Sequence, residues 1–406
     1  MNAATLTSGQ GPPPNWDRSG LSAWTYFNEE LFELEMETLF RRHWQIACHV
    51  NDIPEPGCYL SFDLVGERAL IVRDGGGQVR AFHNVCRHRG SRVVDAAEGR
   101  CRGAIVCPFH GWSYSLNGTL RGAAKAQTFP ELDPQEWGLK PLEMEIWHGF
   151  VFVRFKPGPQ PTVAKLLARF DKEVANYLPE DLLPTAPITC TPPQDINWKA
   201  IRDVDNEGYH VARAHPSLQD LYGNHYSDEP YVNGICRSYG QFNEGSGRLW
   251  SVRHYKKILD QLESPYKELP RAWVYLGVFP NFVLGCYPDS VMFYQDIPFS
   301  VQTAGVRGAI YKRPQESRPL RLARYLSTRI DALTMEEDRQ LTIWTFEAMK
   351  SSGYDGILLS DLEYGVRSHH DALREILPVM RQEDEPPSGA VAEYNAATQA
   401  SGISDA

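Results

Sequence analysis

The sequence lacks long apolar runs and an excess of basic charge, and each deficit excludes a class of protein. No stretch reaches the roughly 18 apolar residues that a membrane-spanning helix needs. The 406 residues include 41 basic and 51 acidic side chains, and a chain with net charge −10 repels phosphate backbones. The first residues carry no basic segment followed by an apolar one, so they predict no secretory signal. We therefore expect a cytoplasmic protein that binds neither membranes nor nucleic acids.

Cysteine is also scarce, because eight cysteines in 406 residues are too few for a disulfide-stapled fold. Five of them are scattered in apolar surroundings, as is typical of buried structural thiols: Cys48, Cys58, Cys190, Cys236 and Cys286. Cys86, Cys101 and Cys107 lie closer together, and histidines accompany two of them. In a reducing compartment, clustered cysteines indicate a metal site or catalysis rather than disulfides.

The length of the chain predicts two or three domains, at about 150 residues each. Residues 1–20 are rich in glycine and proline and predict a flexible arm, and apolar spacings in 21–45 predict an N-terminal helix that packs on the C-terminal domain. Short strand patterns joined by turns predict an all-β domain over 46–156. Residues 157–381 alternate helical and strand patterns, and 382–406 predict a disordered tail. The fold class predicted is α+β, with an N-terminal all-β domain and a C-terminal antiparallel sheet surrounded by helices.

Two short segments in the all-β region each pair a cysteine with a histidine. Cys86-x-His88 and Cys107-x-x-His110 both follow a predicted strand, so two loops can converge on one centre. Two thiolates and two imidazoles ligate a 2Fe–2S cluster when the thiolates take one iron and the imidazoles the other. The same four side chains can also hold structural zinc, although zinc sites usually pair cysteine with cysteine. The spacing favours the cluster and leaves zinc as the alternative.

A second constellation begins with two histidines at the end of a predicted helix over 197–212, one inside this range and one three residues beyond it. His210 and His215 are five residues apart, which places them roughly 140° apart on a straight helix. Pro216 disfavours a helical conformation at His215, so we expect the helix to bend or end there and both imidazoles to turn inward. Two histidines and one carboxylate, with open coordination positions, are the ligands of non-haem Fe(II) in oxygen chemistry.

The carboxylate has to come from another segment, and Asp338 is the candidate. It lies in a predicted helix over 317–350, on the apolar side between Met335 and Leu341, whereas its neighbour Glu337 is expected to point elsewhere. A buried acid is costly unless it meets a positive charge. The pattern therefore predicts either an iron ligand or a buried acid paired with an arginine.

Taken in this order, the two constellations resemble those of Rieske non-haem iron oxygenase α subunits, the aromatic ring-hydroxylating dioxygenase family. The resemblance runs from about residue 25 to residue 380 and includes Cys86-x-His88-Arg89-Gly90, Cys107-Pro108-Phe109-His110-Gly111-Trp112 and Glu337-Asp338-Arg339. It implies a Rieske-type 2Fe–2S cluster held by Cys86, His88, Cys107 and His110. It also implies a mononuclear Fe(II) held by His210, His215 and Asp338.

The chain departs from the family at two acids before the first iron histidine. Many members have Glu-Asn where this chain has Asp203-Val204, and an aspartate where it has Glu207. Glutamate at the latter position is similar to the branch that acts on quaternary ammonium compounds such as carnitine, betaine and stachydrine. The resemblance implies a homotrimer in which Glu207 links His210 to a cluster histidine of the next subunit. Asp203 is expected to be a solvated or outer carboxylate near the iron.

The resemblance further implies a terminal oxygenase that uses O2 to hydroxylate or dihydroxylate an aromatic or other small organic substrate. One alternative is an N- or O-demethylating monooxygenase for a quaternary ammonium or methoxy compound. Another is a Rieske electron carrier without oxygenase activity. No Gly-x-Gly-x-x-Gly follows a predicted strand, so no bound NAD or flavin is predicted, and a separate NAD(P)H-dependent reductase, with or without a ferredoxin, is implied.

The substrate pocket is expected to draw on residues 215–250 and 273–297, which are rich in aromatic side chains. Such rings can stack on an arene or surround a quaternary ammonium group. Most of them can equally belong to the core of the sheet. The aromatic residues in question are Tyr222, Tyr226, Tyr231, Trp250, Trp273, Tyr275, Phe282, Tyr287, Phe293 and Tyr294.

Overall fold

The computed structural model describes residues 12–177 and 180–402. Within them the α-helices are α1 (Glu29–Glu35), α2 (Val163–Leu167), α3 (Asp171–Val174), α4 (Trp198–Asp205), α5 (Val211–Ala214), α6 (Pro216–Tyr222), α7 (Trp250–Leu259), α8 (Arg318–Ala348), α9 (Tyr364–Ile376) and α10 (Val391–Gly402). The strands are β1 (Gln45–His49), β2 (Cys58–Leu64), β3 (Glu67–Arg73), β4 (Val79–His83), β5 (Glu98–Arg100), β6 (Ile105–Val106), β7 (Ser113–Tyr114), β8 (Leu120–Gly122), β9 (Glu143–Trp147), β10 (Phe150–Arg154), β11 (Leu183–Pro184), β12 (Thr189–Cys190), β13 (Tyr226–Val232), β14 (Ile235–Gln241), β15 (Ala272–Val278), β16 (Phe282–Cys286), β17 (Val291–Ser300) and β18 (Thr303–Lys312). No helix in this part of the chain is long and apolar enough to cross a bilayer.

The contacts divide the chain into two units, and the first comprises residues 39–169 and 180–188. It contains three antiparallel sheets with strand orders β1-β10-β9, β4-β3-β2-β5 and β6-β7-β8, so the predicted all-β character is confirmed. The unit extends past the predicted end at residue 156 because α2 packs on β9. There the Val163 N–H donates to Glu145 Oε2 at 2.6 Å, and Val163 and Leu167 are buried.

The second unit comprises residues 12–38, 170–177 and 189–402 and is built on one antiparallel sheet. Strands β13 to β18 follow one another across the sheet in chain order, and β12 pairs with β18. The register aligns Cys236, Gly277, Val283 and Tyr294 in a row across four strands. A Cβ at Gly277 would lie 2.3 Å from Cys236 Sγ, so glycine there leaves room for its neighbour. This face of the sheet forms one wall of a cavity.

Helices cover that face, as the sequence predicts. Helix α8 begins where the Ser317 hydroxyl accepts the Leu320 N–H at 3.3 Å, and it packs against α4, α6 and α7. Helix α4 is tied to α1 by a buried ion pair between Lys199 Nζ and Glu35 Oε1 at 2.6 Å. Burial raises the pKa of Glu35 and lowers that of Lys199, although each partner counteracts the shift. The pair fixes the N-terminal segment on the helix that leads to the histidines.

Several predicted boundaries are wrong. The helix expected over 21–45 is broken into a 3-10 turn at Ala23–Tyr26, α1 and a further turn at Met36–Phe40. The helix expected over 197–212 ends at Asp205. Both segments carry apolar residues at helical spacing, but that spacing does not show where a helix ends.

Both ends of the chain differ from the prediction. In the expected disordered tail, 382–406, residues 391–402 form α10, in which Val391 is fully buried and the Asn395 side chain accepts the Val379 N–H at 3.2 Å. Residues 403–406 lie outside the described residues. Of the expected flexible arm, residues 1–11 lie outside the described residues. The remainder packs on the second unit, where Trp16 donates to Asp361 at 2.9 Å. Composition misled here because a few anchoring side chains order a small, polar segment.

Candidate functional site

The two cysteine–histidine segments form loops with the same backbone closure. In the first loop, residues 86–91, and the second loop, residues 107–112, the cysteine N–H donates to the carbonyl of the last residue, at 2.7 and 2.8 Å. A glycine N–H donates back to the cysteine carbonyl at 3.0 Å in both loops. Gly90 and Gly111 have φ of +79° and +72°, a conformation that favours glycine. Local hydrogen bonds and a glycine at the same position therefore close both loops.

These loops bring the four predicted cluster ligands together. Cys86 and Cys107 are 3% and 2% exposed, whereas His88 and His110 are half-buried. The two imidazole rings lie 4.7 Å apart between centroids, at 76° to each other. His110 Nδ1 is buried and has no hydrogen-bond partner among the described residues. A pair of buried thiols beside a pair of imidazoles, one with an unsatisfied ring nitrogen, fits a 2Fe–2S cluster with mixed ligation.

Neighbouring side chains support these ligands. The Tyr114 hydroxyl accepts the Arg87 N–H at 3.0 Å, which leaves its hydrogen free to donate to Cys86 Sγ at 3.2 Å. Burial raises the pKa of the Cys86 thiol, and the Tyr114 hydrogen bond opposes that shift. Trp112 stacks on His88 with centroids 5.1 Å apart and the planes nearly parallel. Tyr114 was not predicted as a site residue; its place on the strand after the second loop is the only signal for it.

The second constellation converges in the second unit. Donor atoms of His210, His215 and Asp338 all lie within 4.8 Å of one another. The two Nε2 atoms are 3.0 Å apart, and Asp338 Oδ1 lies 2.8 Å from His215 Nε2 and 3.4 Å from His210 Nε2. Asp338 Oδ1 is buried, and it meets two imidazoles rather than the arginine of the alternative interpretation. Two nitrogens and one oxygen in this arrangement fit a mononuclear Fe(II).

A break between short helices turns both imidazoles inward. His210 precedes α5, and His215 lies between α5 and α6 with φ −117° and ψ 84°, outside the helical region. Pro216 then occupies the first turn of α6, where its missing N–H costs nothing. The two histidines therefore do not share one helix, and both Nε2 atoms can point to the same metal position although the residues are five positions apart.

A carboxylate contacts the outer nitrogen of each iron histidine. Glu207 Oε1 lies 2.5 Å from His210 Nδ1, and Glu337 Oε2 lies 2.8 Å from His215 Nδ1. Such contacts fix the ring orientation and direct Nε2 toward the metal position. The prediction that Glu337 points elsewhere is wrong, because its longer side chain reaches His215 from the helix position next to Asp338. Sequence periodicity describes where a Cβ points and not how far a glutamate extends.

The backbone around Glu207 is held by hydrogen bonds and packs closely against Tyr226. Glu207 Oε2 accepts the N–H groups of Tyr209 and His210 at 2.5 and 3.1 Å. A Cβ at Gly208 would lie 2.1 Å from the Tyr226 ring, so this position requires glycine. Burial lowers the pKa of His210, but hydrogen bonds with Asp338 and Glu207 outweigh it and raise the pKa to about 10. The acids thus concentrate negative charge where a metal cation would bind.

Asp203 does not lie where it was expected. It accepts the Tyr26 hydroxyl at 2.5 Å and contacts His370 Nε2 at 2.7 Å, and no contact with His210 or His215 is present in the described part of the chain. Its side chain leaves α4 on the side that faces the N-terminal segment and α9. Asp203 therefore anchors α4 rather than supporting the iron ligands directly.

A cavity of about 450 Å³ adjoins the His–His–Asp cluster. Five of the predicted aromatic residues line it: Tyr222, Tyr226, Tyr275, Tyr287 and Tyr294. The others do not: Trp273, Phe282 and Phe293 are buried in the core, Trp250 is exposed and Tyr231 bonds to Asn206. The sequence missed the contribution of α4 and α8, which add Ile201, Arg202, Val204, Asp331, Thr334 and Met335.

Comparison with known families agrees with both candidate metal centres, the cluster loops and the His–His–Asp cluster. Residues 43–133 match the model of the Rieske [2Fe-2S] domain. Residues 179–378 match the model of the ring hydroxylating alpha subunit (catalytic domain). The domain order is the one that the sequence predicts, and a Rieske domain excludes the structural zinc alternative for the two loops. The cofactors of these domains are a Rieske 2Fe–2S cluster and a mononuclear iron.

Individual relatives match over part of their length. The chain is 34% identical over 193 residues to the glycine betaine monooxygenase oxygenase subunit of Pseudomonas aeruginosa, covering 48% of this chain and 44% of that protein. It is 32% identical over 215 residues to the carnitine monooxygenase oxygenase subunit of Escherichia coli, covering 51% and 56%. The chain thus spans about half the length of the curated relatives that it matches.

The fold is that of solved structures in the same group. A crystal structure of a quaternary ammonium Rieske monooxygenase superposes with a TM-score of 0.74 at 22% identity, covering 88% of this chain and 95% of the other. This likeness shows the fold. The two domain matches, in this order along the sequence, show that the chain belongs to the Rieske non-haem iron oxygenase α-subunit family.

Proposed function

We propose that this chain is the terminal oxygenase component of a Rieske oxygenase system, which uses O2 to oxidise a small organic substrate. The observation that carries the proposal is the His210–His215–Asp338 cluster next to a cavity of about 450 Å³. An electron carrier, the alternative from another class, needs neither a second metal site nor a substrate cavity.

Seven side chains are assigned as metal ligands. Cys86, His88, Cys107 and His110 would hold the cluster, and His210, His215 and Asp338 the mononuclear iron. When bound, these groups supply one-electron transfer and oxygen activation. Glu207 and Glu337 hold the two iron-binding imidazoles in orientation through their Nδ1 atoms. Three protein ligands leave coordination positions open for O2.

The electrons are expected from a separate NAD(P)H-dependent reductase, with or without a ferredoxin. We infer a homotrimer in which Glu207 links His210 to a cluster histidine of the neighbouring subunit. Two exposed aromatic residues support this: Phe109, next to His110, is 55% exposed, and Tyr209, next to His210, is 58% exposed. Large exposed apolar side chains beside metal ligands favour an interface at both places, and a head-to-tail ring joins two different surfaces.

The substrate is a small organic molecule, and there are two alternatives for the reaction. Hydroxylation or dihydroxylation of an arene would use the tyrosine rings for stacking. Monooxygenation of an N-methyl carbon is favoured by the acidic, tyrosine-lined cavity and by relatives named for betaine and carnitine. In that reaction one oxygen atom of O2 enters the C–H bond, the other leaves as water after two electrons and two protons are added, and the hydroxymethyl group departs as formaldehyde.

Metal content and coupled oxygen uptake test the proposal. Protein prepared anaerobically should contain about three irons and about two acid-labile sulfides per chain, and its reduced form should give a Rieske-type paramagnetic signal at low average g. With a surrogate reductase, O2 uptake should depend on substrate when aromatic acids and ammonium compounds are screened. About two irons per chain without oxygen uptake would support the electron carrier, and zinc in place of iron would contradict the cluster.

A further inference from the structure

One acid in the cavity has no charged partner. Asp331 lies on α8 two helical turns before Asp338, about 10.5 Å along the axis and on nearly the same face of the helix. Its Oδ1 accepts the Tyr287 hydroxyl at 3.0 Å, whereas Oδ2 is buried and has no hydrogen-bond partner among the described residues. Burial raises the pKa of Asp331 to about 8, and the nearby Asp289, another acid, adds to the shift. An isolated carboxylate in this place is costly unless a cation arrives.

Each of the other acids of the cavity wall already contacts a basic side chain. Arg202 contacts both Asp205 and Asp296, and Arg339 contacts Glu336 at 2.7 Å. The two remaining acids, Glu207 and Asp338, contact the iron histidines. Both arginines that line the cavity are therefore occupied, and Asp331 is the acid in the described lining that contacts no basic side chain.

A chain of three tyrosine hydroxyls leads to this carboxylate, and the last of them donates a hydrogen bond to it. Tyr287 donates to Asp331, so its oxygen is free to accept from Tyr275 at 2.8 Å, and Tyr275 can accept from Tyr222 at 3.4 Å. The Tyr287 ring stacks on Trp273 at 4.1 Å between centroids, which holds it in place. Such a chain of donors stabilises a negative carboxylate, and aromatic faces attract alkylammonium groups.

We propose that Asp331 is a specificity-determining residue that recognises the positive charge of the substrate, and that the preferred substrate is a monocationic alkylammonium compound without a carboxylate. The inference rests on the proposed function and narrows its substrate class. A zwitterion would place its carboxylate among acids, where no unpaired arginine or lysine of the described lining could neutralise it. The cavity thus favours a cationic substrate over a zwitterionic one such as a betaine.

Calorimetric binding to the oxygenase with both metal centres loaded tests the inference independently of turnover. The probes are choline, its uncharged analogue in which carbon replaces nitrogen, and glycine betaine. Choline should bind at least about tenfold more tightly than the uncharged analogue, which has the same shape, and than glycine betaine. No preference for choline over either probe, or no binding of any probe, would overturn the proposal.

Variants at one helix separate a specific charge from general electrostatics. Asp331→Asn should remove the preference for choline while changing the affinity for the uncharged analogue by less than about twofold. Asp331→Glu should retain the preference. Glu347→Gln removes the same charge from an exposed position further along α8 and should change neither affinity. An unchanged choline preference in Asp331→Asn, with unaltered iron content and cluster spectrum, would show that Asp331 does not recognise the charge.

The two proposals fail in different ways. If the chain were not an oxygenase, substrate-dependent O2 uptake would fail in protein with both metal centres loaded, yet the binding preference could still be measured. If only the substrate class were wrong, oxygen uptake would appear with a neutral or zwitterionic substrate while Asp331→Asn had no effect on binding selectivity.

Discussion

The two metal-binding regions are built in opposite ways. The cluster loops draw all four ligands from 25 consecutive residues, and each loop is closed by its own backbone hydrogen bonds. In the other region Asp338 follows His215 by 123 positions in the sequence, and α8 has to pack on α4 and α6 before the ligands meet. The first region therefore depends on local conformation, and the second on tertiary packing. A substitution at one centre should therefore impair that centre and leave the other intact.

The largest difference between the two centres is expected from Asp338→Ala. The side chain supplies the only carboxylate of the His–His–Asp cluster, so its loss should lower mononuclear iron affinity by more than the about 10- to 100-fold typical of outer contacts. Activity should be abolished, while the visible and paramagnetic spectra of the cluster remain, because the two centres share no ligand. Iron analysis, together with these spectra, measures the effect.

Glu347→Gln is the matched control, since it removes a carboxylate from an exposed position on the same helix. It should keep about three irons per chain. If Asp338→Ala also kept its mononuclear iron, another carboxylate would be the ligand, and Glu337, which already contacts His215, would be tested first.

The next largest effect is expected from the two glutamates that contact the iron histidines. Glu207→Gln and Glu337→Gln preserve size but remove charge and weaken the hydrogen bond to Nδ1. If Glu207 is also the link to the neighbouring subunit, Glu207→Gln should slow product formation by orders of magnitude in a single turnover of pre-reduced, iron-loaded enzyme. Glu337→Gln should weaken iron binding about 10- to 100-fold but leave the rate per bound iron nearly normal.

Because both glutamates contact the Nδ1 atom of an iron histidine, comparing the two variants tests whether Glu207 has an additional inter-subunit role. Equal single-turnover rates in the two variants would assign to Glu207 only the orienting role that Glu337 has. In that case electrons would enter by another route, and Asp205, which contacts Arg202 and Tyr294, would be the next acid to replace.

The same contrast explains how much the sequence could predict. The cluster loops, the helical break at Pro216 and the antiparallel sheet follow from motifs, proline and short-range periodicity, and the fold class is confirmed. Glu337, Asp331 and the anchoring role of Asp203 could not be predicted, because each depends on which helix faces which and on side-chain reach. Likewise, α10 is ordered by a few distant contacts that composition does not encode.

The smallest effects should appear in the cluster loops themselves. Gly90→Ala and Gly111→Ala place a Cβ where no atom lies within 4 Å, so the cost is only that of a positive φ, about 1–2 kcal/mol. Because both loops have the same closure, the two variants should lose equal stability, measured as the denaturant concentration at which the cluster absorbance disappears. Gly122→Ala, in equally open space but without a positive φ, should lose none. A much larger loss at one loop would show that its backbone depends on contacts beyond its own hydrogen bonds, and the distinction between a locally determined and an assembled centre would no longer hold for that loop.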